Sequence, residues 1–290
     1  MVAKILTLIC TVMIILVSPV RAEMVITYRA QESSTDKRYD YDTALLELAM
    51  EKTRPTHGPY SLRPSPEMNF PRAKSVIRNN HYGNFFAKLS YEDKYKETMD
   101  MDFVKFPVDL GIVGYRIFFV SEQTRKKLSA VTTLDMLKTF TMGQGAGWTD
   151  VGILRAGGFK VVAVPTYESL FRMVAWNRFD LLPRGANEIL DEYESHKQIK
   201  DFTYDTSLCL AYPLPRFFYT HPSNQRAIER VTAGLMRGYE DGSVQKLWQT
   251  HYQKSIEFVK LHNRKMIRIP NPRIKNIGFD FQRFFFTPDH

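Results

Sequence analysis

The spacing of apolar residues predicts strands and helices along most of the chain. β-Branched and aromatic residues at Met24–Tyr28 predict a short strand, and apolar positions within residues 41–52 recur with the period of an amphipathic helix. Two longer apolar runs, residues 114–120 and 208–219, predict long strands. Two prolines interrupt the second run, as is typical where a strand lies at an edge or changes sheet.

Between these two runs the pattern alternates regularly. Residues 159–164 and 179–182 predict strands, and residues 167–177 predict the helix that connects them. Such alternation favours a parallel sheet with helices on its faces. Further helices are predicted within residues 224–237 and 244–252. We therefore expect one α/β lobe inserted into another, with two crossings and a ligand cleft between the lobes.

A glycine-rich segment opens the alternating block and is the first candidate for ligand binding. Gly143, Gly145 and Gly147 lie within five residues, directly before a helical pattern. The unpaired N–H groups and the dipole of a helix N-terminus favour a carboxylate or phosphate. We predict an anion cradle here, with Trp148 as its wall. Alternatively, the glycines only permit a tight turn and Asp150 only caps a helix.

The first 22 residues have the pattern of a cleavable secretory signal peptide. Lys4 precedes an apolar run at residues 5–17, and small residues surround Ala22. The run is shorter than the roughly 20 apolar residues that a membrane span requires. We expect a mature periplasmic chain of 290 − 22 = 268 residues. Cys209 would be its single cysteine, and its apolar neighbours predict a buried side chain.

Charge and motifs narrow the function classes. The formal net charge of +9 falls to +7 when Lys4 and Arg21 are removed with the signal peptide, and a basic exported protein meets anionic partners. No aromatic–basic pattern indicates nucleic-acid binding. The seven histidines lack metal-ligand spacing, and no G-x-S-x-G nucleophile motif occurs. We expect no metal, no cofactor and no enzymatic activity.

The order of segments resembles that of the extracellular solute-binding proteins of family 3, the polar amino-acid binders. The resemblance spans nearly the whole mature chain and rests on residues 25–29, 106–120, 133–137, 143–150, 167–171 and 240–248. It implies a two-lobed, type II periplasmic-binding-protein-like α/β fold, each lobe a mixed sheet flanked by helices. The chain looks like a divergent branch. Where members commonly carry a ligand-clamping arginine, residues 90–96 offer lysine, which lacks the planar fork.

The resemblance also implies a division of the chain and a set of site residues. Residues 1–22 form the signal peptide, residues 23–112 and 219–290 the first lobe, and residues 113–218 the second lobe. The expected ligand-binding residues lie at strand ends and in the glycine-rich segment: Tyr28, Arg29, Arg116, Gln144, Gly145, Trp148, Asp150, Tyr167, Arg184, Asn187 and Glu188.

Two of these arginines have structural alternatives. Arg116 stands in an apolar run, where a charge is costly unless it is paired or faces a ligand. Arg184 alternatively pairs with Asp180 or Glu188 on the surface, which contributes little stability.

The leading hypothesis is a monomeric periplasmic solute-binding protein. It would capture a small anionic or zwitterionic, amino-acid-like solute for a membrane permease or a membrane sensor. One alternative is an envelope interaction module on the same fold, motivated by the missing arginine and by the aromatic residues 279–286. Another is an enzyme on the same scaffold. Dinucleotide binding is disfavoured, because the G-x-G-x-G spacing does not match G-x-G-x-x-G.

Overall fold

Two five-stranded sheets organise residues 22–31 and 39–288, which are the residues that the computed structural model describes. The strands are β1 Met24–Tyr28, β2 Tyr60–Pro64, β3 Phe85–Ser90, β4 Asp102–Phe103, β5 Tyr115–Ser121, β6 Thr141–Gly145, β7 Lys160–Val164, β8 Leu182–Gly185, β9 Phe202–Tyr204, β10 Leu208–Ala211, β11 Arg216–Thr220 and β12 Lys265–Arg268. The helices are α1 Asp40–His57, α2 Phe70–Arg78, α3 Lys94–Thr98, α4 Glu122–Leu128, α5 Leu134–Leu137, α6 Thr149–Ala156, α7 Tyr167–Ala175, α8 Ile189–His196, α9 Gln225–Glu240 and α10 Ser243–Val259. The predicted signal peptide lies outside the described residues except for Ala22.

Each sheet forms the centre of one lobe. The first lobe has the strand order β2-β1-β3-β11-β4, with β1 parallel to both neighbours and β11 antiparallel to both of its own. The second has the order β12-β10-β5-β8, and β9 also pairs with β5. Strands β6 and β7 pair in parallel beside it, as the alternating pattern predicts, and a bridge joins Met142 to Leu181. The mixed-sheet α/β fold class is confirmed.

The interrupted apolar run at residues 208–219 forms two strands rather than one. Strand β10 belongs to the second lobe and β11 to the first, so the chain changes sheet between them. Pro213 and Pro215 lie in this connection. Proline has no N–H group for a strand ladder, which explains why pairing stops here.

The C-terminal part of the chain is shared between the lobes. Residues 219–290 were expected in the first lobe, yet β12 pairs in parallel with β10 of the second. The aromatic segment then returns to the first lobe, where Phe281 packs in the core around β3 and β11. Within the described residues, the chain therefore runs between the sheets four times rather than the expected two.

Packing against the lobes buries the apolar side chains that the pattern singled out. Cys209 on β10 is fully buried, as predicted, and burial raises the pKa of its thiol to about 12. Phe284 also lies in a core, at 3% exposure. No helix in the described part of the chain is both long enough and apolar enough to span a membrane.

Candidate functional site

The two lobes enclose a small cavity, which we call the inner chamber. It holds about 50 Å³ of space open to water molecules, which is room for only a few of them. The first lobe contributes side chains from α2, β3 and β11, and the second contributes the start of α6 and the end of β8. Its lining residues are Tyr39, Phe70, Lys74, Lys88, Leu89, Ser90, Tyr95, Gly147, Trp148, Thr149, Asp150, Arg184, Glu188 and Arg216.

The glycine-rich segment differs from the predicted loop. Gly143 and Gly145 lie in strand β6, and Gly147 is its one glycine with a positive φ, of 81°. A Cβ atom on Gly143 would lie 2.1 Å from the ring of Phe179, and one on Gly145 would lie 2.4 Å from the indole of Trp148. These two glycines therefore make room for rings, while Gly147 turns the chain so that the N-terminus of α6 borders the chamber.

Arg116 forms an ion pair within the protein, which is the structural alternative to ligand contact. Its guanidinium is 1% exposed, donates to the carboxylate of Asp150, and lies 3.1 Å through Nε from the hydroxyl of Tyr212. The Tyr212 hydroxyl also donates to Asp150. Asp150 lies in the first turn of α6, whose N-cap residue is Trp148, so it is not the cap that the sequence suggested. Asp150 borders the chamber, whereas Arg116 lies behind it.

Arg184 is a buried member of an ion-pair cluster rather than a surface residue. At 3% exposure, its guanidinium lies 2.6 Å from Glu192, 3.0 Å from Glu188 and 4.7 Å from the ring centre of Trp148. The Tyr167 hydroxyl donates to Glu192 over 2.7 Å. Burial alone would raise the pKa of Glu188, but nearby guanidinium groups, Arg184 foremost, outweigh it and hold that pKa well below its usual range.

The first lobe adds two cations that the sequence analysis missed, of which Lys88 is buried and Arg216 is partly buried. Lys88 on β3 lies 2.6 Å from Asp42 and 3.1 Å from Asp109. Arg216 on β11 lies 3.5 Å from Asp109 and 3.3 Å from Glu188, which joins the two lobes. Burial raises the pKa of Asp42 to about 7 despite the attraction of Lys88. Lys88 and Arg216 stand in apolar strands, as Arg116 does, so the same argument from a misplaced charge could have found them.

Lys74 on α2 is the cation with the least compensation. Its ammonium lies 3.5 Å from the carbonyl oxygen of Gly147 and 4.9 Å from the ring centre of Tyr95. It forms no ion pair with a described residue, and burial lowers its pKa although the carboxylate of Glu92 acts in the opposite direction. No pattern in the sequence marked it. Lys94, one of the two lysines in residues 90–96, is half-exposed, pairs with Glu92 over 2.9 Å and does not line the chamber.

Of the other predicted site residues, some support the chamber and some lie elsewhere. Tyr28 and Arg29 border a separate surface groove beside α1. Arg29 donates to the carbonyl oxygen of Met68 and stacks on Phe70, 4.2 Å from its ring centre. Gln144 is fully buried and donates to the carbonyl oxygen of Pro183. The structure thus brings Trp148, Asp150, Arg184 and Glu188 to the chamber, with Arg116, Gln144 and Gly145 behind it.

A second, larger cavity lies between the lobes, and we call it the outer groove. It holds about 800 Å³ between α1, α7, α8 and α10. Tyr167 and Asn187 line it, while Lys88 and Glu188 line both cavities and so separate them. Among the described residues, no group of histidine, cysteine or acidic side chains could hold a metal ion.

This arrangement of two lobes around an enclosed cavity is the fold of the two-lobed periplasmic binding proteins. An ancestral arginine-binding protein bound to arginine matches with 14% identity and a TM-score of 0.57, over 80% of this chain and 99% of that one. A Salmonella typhimurium periplasmic binding protein with high arginine specificity matches with 11% identity and a TM-score of 0.59, over 79% of this chain and 99% of the other.

A third solved structure is a ligand-binding core. The GluR0 ligand-binding core from Nostoc punctiforme, in complex with L-glutamate, matches with 15% identity and a TM-score of 0.53, over 79% of this chain and 99% of that one. At these identities the likeness concerns the fold, and at that level the resemblance to family 3 solute-binding proteins is confirmed. No family model and no curated protein matches the sequence.

Proposed function

We propose that this chain is a periplasmic solute-binding protein that holds a small solute between its lobes for a membrane permease or a membrane sensor. The inner chamber carries the proposal, because both lobes contribute its walls. A solute there touches both lobes at once, so it stabilises the arrangement in which they meet. Solved structures with this fold hold a small ligand, arginine in one and L-glutamate in another.

The chemistry of the walls supports an anionic group on the solute. The ammonium of Lys74 and the N-terminus of α6 border the same space, and both attract negative charge. Phe70 and Trp148 supply apolar walls for the rest of the solute. These groups come from both lobes, in keeping with a bilobal ligand cleft.

The direct test is a thermal shift of the purified chain against amino acids, organic acids, phosphorylated solutes and cell-wall fragments. A ligand at about 100 times its Kd adds about 2.7 kcal/mol of stability, which raises the Tm of a chain of this size by several degrees. Trp148→Ala and Arg184→Ala should weaken the shift. Wild-type binding by both variants would place the solute elsewhere, and silence across the whole library would refute solute binding.

The envelope interaction module remains a second candidate, favoured by contacts that already join the lobes. Glu92 of the first lobe accepts bonds from Thr149 of the second over 2.9 Å and from Arg273 of the C-terminal segment over 2.7 Å. Pull-down of an envelope protein that depends on residues 279–286, together with silence in the thermal-shift library, would support this candidate. Chemical conversion of a bound solute would instead indicate an enzyme.

A further inference from the structure

We infer that the inner chamber selects a compact oxyanion without a cationic group, rather than an amino acid. The inference rests on the proposed function, since it names the chemical class of the solute. The charges that border the chamber carry it. Among the described lining residues, four side chains are cationic (Lys74, Lys88, Arg184 and Arg216), and two carry carboxylates (Asp150 and Glu188). Three of the cations also pair with acids outside the lining, so the uncompensated positive charge rests on Lys74.

The carboxylates at the chamber are already paired inside the protein. Asp150 accepts a hydrogen bond from the guanidinium of Arg116. Glu188 lies 3.0 Å from Arg184 and 3.3 Å from Arg216. A ligand ammonium group would have to share these acids with guanidinium groups that are themselves largely buried. Burying a cation without a partner of its own is costly, so the chamber disfavours a zwitterion relative to the matching anion.

A guanidinium-bearing solute meets a second obstacle. The setting that would suit its head group, two carboxylates beside an indole ring, already holds the guanidinium of Arg184. That side chain contacts Glu192 through Nε and Nη2 and lies over Trp148. The protein's own arginine thus takes the place that a basic amino acid would need.

Lys74, unlike these paired groups, forms no ion pair with a described residue. Its ammonium is partly buried and borders the chamber. No described carboxylate lies within ion-pair distance of it, and Glu92 attracts it only from farther away. A bound oxyanion would supply a close partner through a charge-assisted hydrogen bond. The volume of about 50 Å³ limits the solute to a compact group, because ligand cavities for larger molecules typically hold about 300–1,000 Å³.

The test is calorimetric titration of the purified chain at fixed ionic strength with inorganic phosphate and with matched pairs of probes. Lactate and alanine differ by a hydroxyl in place of an ammonium group, and malate and aspartate differ in the same way. We expect at least one oxyanion to bind about tenfold or more tightly than its matched amino acid. Lys74→Gln should weaken that binding about tenfold or more, and Lys127→Gln, the same change on the exposed face of α4, should leave it unchanged.

The outcomes separate the inference from the function on which it rests. Tighter binding of alanine or aspartate than of its matched acid would overturn the inference and leave solute binding intact. Unchanged oxyanion binding by Lys74→Gln, with the fold verified by circular dichroism, would overturn the assignment of the chamber. Absence of binding for every probe, in a protein that also fails the wider thermal-shift library, would overturn the inference and the proposed function together.

Discussion

Replacing Arg184 with methionine tests whether the buried ion-pair cluster controls stability. Methionine keeps the apolar stem and removes the guanidinium, so Glu192 retains only the hydrogen bond from Tyr167 among its described carboxylate contacts. Glu188 keeps Arg216 as its nearest remaining cation, at 3.3 Å. Both carboxylates are at least nine-tenths buried. Breaking such a pair typically costs about 3–5 kcal/mol, because a buried charge is left uncompensated.

The dependence on pH separates this electrostatic cost from lost packing. In the wild type, the lowered pKa of Glu188 contributes stability that is present above the unfolded value of about 4.3 and is lost as the pH falls toward the folded value. Between pH 7 and pH 5 that contribution is constant. In the variant, an uncompensated buried carboxylate gains from taking up a proton. The loss of stability should therefore be smaller at pH 5 than at pH 7.

Urea denaturation at both pH values measures the difference. Arg125→Met is the matched control, because Arg125 pairs with Glu122 at 2.7 Å while both side chains are nearly half-exposed. Such surface pairs contribute about 0–1 kcal/mol. A loss below about 1 kcal/mol in Arg184→Met at pH 7, or an equal loss at both pH values, would refute the electrostatic explanation.

Three further changes test the packing and the titration of the fold. Gly234→Ala places a Cβ atom 2.0 Å from the carbonyl oxygen of Ala49, so it should destabilise the chain by about 1–3 kcal/mol. In the control Gly83→Ala the new Cβ atom has no neighbour within 4 Å, so the free energy of unfolding should change by no more than about 0.5 kcal/mol. Phe284→Ala removes a buried ring of the C-terminal segment and should cost about 3–5 kcal/mol in urea denaturation; a smaller loss than 1 kcal/mol would contradict the buried position. Because the pKa of Asp42 is raised to about 7, wild-type stability should fall as the pH rises from about 4 to 7, by at most about 1.4 kcal/mol per pH unit, and Asp42→Asn should remove this contribution to the slope.

Local sequence patterns were a good guide to the elements. Strand β1 spans the predicted residues, and α7 begins at Tyr167 as the pattern indicates. The prolines marked the place where the chain changes sheet. In each case the cause acts over a few residues, through side-chain periodicity or a missing N–H group. The position of β12 in the second lobe depended instead on pairing with β10, more than 50 residues away, which no local pattern encodes.

The candidate site was predictable only in part. Trp148 stands at the N-terminus of α6 and Arg184 near the end of strand β8, and such positions are visible in the sequence. Lys74 lies on a helix of the first lobe, and nothing nearby in the sequence distinguishes it from a solvated lysine. Lys88 stands out as a charge in an apolar strand, but the sequence does not show that Asp42 and Asp109 pair with it.

By itself, the sequence determined the order of strands and helices and the two-lobed α/β class. It also identified the glycine-rich segment that precedes α6 at the cleft. The tertiary structure alone decided which charges neutralise one another and which face the chamber. From the sequence, Arg116 could contact a ligand or form a structural ion pair. In the folded chain Asp150 lies beside it and forms that ion pair. Electrostatic pairing acts between groups within a few ångströms in space, whatever their separation along the chain. The balance that leaves Lys74 at the chamber without an ion pair to a described carboxylate therefore arises only when the lobes come together.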